Sequence, residues 1–230
     1  MGDGPRPPAG LPRQRRGTAP QGRSRYPDFD VLEQAGHWDD ATRKVVLERV
    51  AEVPPLRFFD AGEAETLACF CDVVTAQDAE PRVPVLAMVD QKLHEGRLDG
   101  YRYADMPDDR ETWRLAARGL DERARALGAE GFADADPDTR LRIVAEFHAG
   151  DLHDGVWAEL PAKKAFSVLM RAVLEAFYSH PWAWNEIGFG GPAYPRGYAR
   201  MGIGLRESWE RREDFDVDPV RDVRERDVDL

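Results

Sequence analysis

Cysteine is scarce. The chain has two in 230 residues, Cys69 and Cys71 in "ETLACFCDVV", with no C-x-x-C. That excludes a disulfide framework, a paired-thiol redox motif and a C-x-x-C-H haem attachment. If the stretch is helical, the two side chains point about 200° apart around the axis and cannot pair with each other; they read as small buried hydrophobes. Long apolar runs are missing as well. No window approaches the roughly 18 consecutive apolar residues that cross a bilayer, so no transmembrane segment is expected. Basic charge is in deficit, 32 Lys and Arg against 43 Asp and Glu for a formal net charge of −11. Nucleic acid is therefore not an expected partner, because a phosphate backbone needs a basic face. No segment alternates with period two, and no nucleophile elbow, P-loop or cysteine-based zinc signature occurs.

What is present is the balance of a globular protein, 42% hydrophobic and 33% charged residues, in a chain long enough for one domain with a real core. Residues 1–27, rich in Gly, Pro and Arg, are expected to form a disordered basic tail. Their Arg15-Arg16 pair is not followed by an apolar region, so it is not read as a twin-arginine export signal. A cytoplasmic location is expected, the alternative being a periplasmic or membrane-associated one as part of a complex. Residues 213–230, "EDFDVDPVRDVRERDVDL", read as a mobile acidic tail. The remainder, 28–212, reads as a single helical domain.

Apolar residues recur there with a period near 3.6. Asp39 or Asp40 caps a helix striped by Val46, Val50 and Val53 that stops at Pro54. A second places Leu67, Phe70, Cys71 and Val74 on one face. A third starts at Pro84, carries Val85, Met88, Val89 and Leu93, and ends at Gly96. The fourth turns Trp113, Ala116, Leu120 and Leu127 inward, with Gly128 at its C-terminus. The fifth begins near Pro137 and aligns Leu141, Val144, Phe147 and His148. The sixth, with Phe166, Leu169, Met170, Val173, Leu174 and Phe177, is the most apolar and the expected central helix. The fold class is all-α, an irregular bundle of about six helices.

After the sixth helix comes "FYSHPWAWNEIGFGGPAYPRGYARMG", residues 177–202, which concentrates aromatics, glycines and prolines. Pro181 ends the helix before it. Glycines and prolines then specify an irregular path, and a long ordered loop is expected. Its rings either seal the open end of the bundle or face a partner, since Trp, Tyr and Arg dominate interface energetics. Gly188, Gly190 and Ala193 satisfy G-x-G-x-x-A literally, but a helix rather than a strand precedes them and prolines follow, so no dinucleotide site is read. Glu146, His148, Asp151, His153 and Asp154 are metal-competent types without a metal-site spacing. Whether His148 and His153 bind a metal stays open.

The stretch from Tyr178 to Tyr198 resembles the C-terminal signature of the gluconate 2-dehydrogenase subunit 3 family, small subunits that accompany FAD-dependent oxidoreductases of the glucose-methanol-choline type. The H-P-W run, the N-E-I-G-F-G-G-P core and the P-R-G-Y ending carry the likeness. Weaker similarity extends it over about residues 60–205. The resemblance implies a non-catalytic small subunit that supports the maturation or stability of a sugar or sugar-acid dehydrogenase. No cofactor would be bound by this chain and FAD would sit in the large subunit; a cytochrome c subunit is a further possible partner. On this reading Trp182, Trp184, Asn185, Glu186, Phe189, Tyr194, Arg196 and Tyr198 form the partner interface. Two alternatives stand beside it: an enzyme or active-site contributor using His180 and Glu186 as acid/base groups, and a stand-alone helical interaction scaffold.

Overall fold

The computed structural model describes residues 29–78, 80–194 and 197; the two expected tails lie outside them. Among the described residues every regular element is helical. A 3-10 segment, Val31–His37, leads into α1 (Asp40–Ala51), α2 (Ala61–Val74), α3 (Val85–His94), α4 (Asp109–Ala126) and α5 (Pro137–Ala149). A 3-10 turn, Gly155–Ala158, precedes α6 (Ala162–Tyr178) and the short α7 (Pro181–Ile187). The six expected helices are α1 to α6.

Local chemistry sets where these helices begin. Asp39, Asp60, Asp108 and Asp136 each accept a hydrogen bond from the backbone N–H three residues on, at the starts of α1, α2, α4 and α5. Each such cap contributes on the order of 1 kcal/mol. At α2 the Glu63 side chain reciprocates to the Asp60 N–H, completing a capping box. Gly150, in the left-handed region at φ 86°, closes α5.

Helix α6 is central, packing against α3, α4, α5 and α7, while α2 lies across α3, α4 and α5. An aromatic knot joins these layers: the Phe147 ring lies 6.0 Å from Phe70, 5.2 Å from Phe166 and 4.8 Å from Trp157. Trp157 lies directly over the backbone of α4. Its Nε1 donates to the Gly119 carbonyl at 3.1 Å, and a Cβ at Gly119 would sit 2.5 Å from the indole. Only glycine permits that approach. On the outside, Arg123 grips Glu146 with two hydrogen bonds of 2.8 and 3.0 Å, joining α4 to α5.

Several inward faces differ from those the pattern predicts. Val53 is exposed, because α1 ends at Ala51 and the chain turns extended ahead of Pro54. On α5 the core face is Ile143 and Phe147, one turn apart, and Leu141 points to solvent. Leu174 is likewise exposed on α6, whose buried line runs through Ala165, Leu169, Val173, Ala176 and Phe177. Neighbouring helices cover only one side of each cylinder, and that side is chosen by packing. Cys71 is buried and Cys69 half-buried, both as free thiols.

Asp90 is buried inside α3. Its carboxylate accepts from the backbone N–H groups of Arg57, Phe58 and Phe59 at 2.7, 2.9 and 3.0 Å. The α1–α2 connection is pinned to α3 by this one side chain.

Candidate functional site

The glycine- and aromatic-rich stretch opens with two turns of helix rather than with loop. Helix α6 stops at Tyr178, and the residue before Pro181 is held extended: His180 has φ −91° and ψ 136°. That conformation makes it the N-cap of α7, and its Nδ1 accepts the Trp182 N–H at 3.2 Å. Pro181 occupies the first helical position, where a missing N–H costs nothing. Gly188 ends the helix in the left-handed region at φ 69°. The same residues that suggest an irregular loop thus encode a start, a first turn and a stop. Gly188 is a helix terminator and no strand precedes it, so the G-x-G-x-x-A spelling has none of the context a dinucleotide needs.

The rings divide into two groups. Trp182 and Trp184 are buried in their own chain, each 6% exposed. Trp184 Nε1 donates to the Tyr178 carbonyl at 2.6 Å, and the Trp182 ring lies 4.8 Å from the His180 imidazole. Phe189 and Tyr194 face outward, 39% and 64% exposed, as does the aliphatic Ile187 at 51%. The Phe189 ring stands edge-on to Trp184 at 5.5 Å, so an outward ring rests on an inward one. Asn185 and Glu186 are half-buried. Arg196 and Tyr198 lie outside the described residues.

The other half of this site comes from the beginning of the described chain, which the sequence reading does not assign. Asn185 Oδ1 accepts the Val31 N–H at 2.7 Å across 154 positions of sequence. Gly191, at φ 78°, packs so closely that a Cβ there would lie 2.9 Å from both Trp38 Cζ2 and Val31 Cγ2. The signal was available: Val31, Leu32, Ala35 and Trp38 follow a helical spacing after Asp30, whose side chain accepts the Leu32 N–H.

His180 is 1% exposed. Burial pulls its pKa down to about 4; a hydrogen bond to the Arg49 backbone opposes this and the Arg49 charge adds to it. The imidazole is neutral near pH 7, with Nδ1 committed to the cap. It positions α7 and does not meet solvent. Arg49 Nη1 in turn donates to the Ser179 carbonyl at 2.6 Å, bracing the α6–α7 junction from α1.

The second cluster does not converge. Glu146 is engaged by Arg123 and Arg142, and the His148 ring lies against Phe166 at 4.9 Å. Asp151, His153 and Asp154 are exposed. Among the described residues no group of three His, Cys, Asp or Glu is placed to hold a metal ion, and no helix is long and apolar enough to cross a membrane.

Fold and site together define an all-helical domain whose signature segment is a packed, pre-shaped corner with an apolar outer side. The family model for gluconate 2-dehydrogenase subunit 3 matches residues 61–191, more than half of the chain, and the chain belongs to that family. The match runs from the start of α2 through Gly191; the P-R-G-Y ending lies beyond it. No curated protein and no solved structure matches the chain.

Proposed function

We propose that this chain is a non-catalytic accessory subunit that binds and supports the maturation or stability of an FAD-dependent, glucose-methanol-choline-type large subunit acting on the CH–OH group of a sugar or sugar acid. FAD resides in that partner. The family membership supports an accessory role, and one observation carries the choice of surface. Ile187, Phe189 and Tyr194 are exposed within eight residues, on a backbone already held by the His180 cap, the Asn185–Val31 hydrogen bond and the Gly191–Trp38 contact. Scattered exposed apolar residues need no explanation, but a cluster on a pre-ordered corner suits a partner, because little entropy is lost when it binds. The buried tryptophans fix the corner, and the outer residues do the gripping.

Co-expression with an FAD-dependent glucose-methanol-choline-type large subunit from the same organism tests the proposal. The two should co-purify, and Ile187→Glu or Phe189→Ser should release the flavoprotein while leaving the helical circular dichroism unchanged. Separate elution of the wild-type pair, with a flavoprotein fully active alone, would overturn it.

A further inference from the structure

Beside the α6–α7 junction, α1, α3, α6 and the α1–α2 connection line an open cleft of about 530 Å³, within the size range of small-molecule sites. Val53, Pro54, Met88, Val89, Ala172 and Ala176 supply its apolar lining. Val89 and Ala176 are buried and form its floor.

The charges around the cleft are not equivalent. Lys92 is held by Glu175 at 2.7 Å and Asp99 at 3.1 Å, and Arg97 by Glu95 at 2.7 Å. Glu48, Glu52 and Glu175 are exposed, where water and salt weaken their reach. Arg49 differs. It is half-buried, and burial holds its guanidinium below the usual arginine range. Among the described residues no carboxylate forms an ion pair with it; one N–H goes to the Ser179 carbonyl, and the guanidinium has five donors in all. A partly desolvated guanidinium beside an apolar floor is built for a planar carboxylate on an apolar body.

We propose that this cleft binds a small organic acid, with Arg49 taking the carboxylate and the surfaces of α3 and α6 taking the apolar body. The inference goes beyond the docking function and does not depend on it. Because Arg49 also braces the Ser179 carbonyl, and its backbone meets the His180 imidazole, occupancy is sensed at the start of α7.

The test is an NMR titration of the full chain with 4-phenylbutyrate and, separately, with its uncharged amide. Saturable binding near the millimolar level is expected for the acid, the level that ligand efficiency allows for a molecule of that size. The amide should bind at least ~10-fold more weakly, the usual scale of one charge-assisted contact, and the His180 ring resonances should move on saturation with the acid. Arg49→Gln should remove the difference between acid and amide. Should that variant fail to fold, Ala172→Leu, which narrows the cleft without touching Arg49, should weaken both ligands. No saturation by the acid, equal binding of acid and amide, or an Ala172→Leu variant that binds as wild type would each overturn the proposal. Retention of the flavoprotein by a variant that no longer binds the acid keeps the two functional readings separable.

Discussion

Acid should loosen this protein through His180, and the size of the effect follows from its surroundings. The imidazole is buried, neutral and capped onto the Trp182 N–H, with its pKa lowered from 6.5 to about 4. In the unfolded chain it takes a proton below about pH 6.5, while the folded chain resists until about pH 4. The folded state therefore binds fewer protons across that window. Its contribution is fully present above pH 6.5 and is lost as pH falls toward 4. At about 1.4 kcal/mol per pH unit, the loss between pH 7 and pH 4 comes to ~3 kcal/mol. The comparison protein is His180→Asn, since asparagine can accept the same N–H without titrating. Urea unfolding, followed by tryptophan fluorescence at pH 7, 6, 5 and 4, gives both stability profiles. Carboxylate titrations are common to the two proteins and cancel in their difference, and Arg49 stays charged throughout. The variant should be less stable at pH 7, through lost packing and the lost contact with the Arg49 backbone, but the gap should close by ~3 kcal/mol at pH 4. Parallel profiles would refute the reasoning, showing that the folded protein does not hold this histidine neutral.

Three further outcomes rest on separate features. Gly191→Ala imposes a left-handed conformation, costing about 1–2 kcal/mol, and presses a methyl group to 2.9 Å from Trp38 and Val31; thermal unfolding should drop by several degrees, and proteolysis near residue 38 should accelerate. Asp90→Ala leaves the N–H groups of Arg57, Phe58 and Phe59 without their acceptor; the last two are buried, and at about 1–3 kcal/mol per orphaned buried donor chemical denaturation should show a loss of at least ~2 kcal/mol, with faster hydrogen exchange at those three amides. Burial raises the Cys71 thiol pKa well above its ordinary value and that of half-buried Cys69 by less, so at pH 7.5 Ellman's reagent should label Cys71 only as fast as the protein unfolds and Cys69 slowly.

Most of the fold was legible because helix boundaries are written in neighbouring residues. An aspartate that can reach the N–H three positions on starts a helix wherever the rest of the chain lies, as Asp39, Asp60, Asp108 and Asp136 do. The signature is legible as a family mark but misleading as a loop: Pro181 ends α6, and with His180 it also begins α7. Trp182 and Trp184 stood out as aromatic anchors, yet nothing in their spacing says whether an anchor faces a partner or its own bundle.

The sequence by itself determined the all-helical class, the existence and approximate extents of α1 to α6, and the family. These depend on caps, prolines, glycines and apolar period, all of which act within a turn or two. The tertiary structure alone decided that Ile143 and not Leu141 faces the core, that Asp90 stitches the α1–α2 connection to α3, and that Val31 and Trp38 complete the corner around α7. Those choices follow from which surfaces meet. A hydrogen bond between positions 154 residues apart leaves no trace in local periodicity, because its partners become neighbours only once the intervening helices have packed.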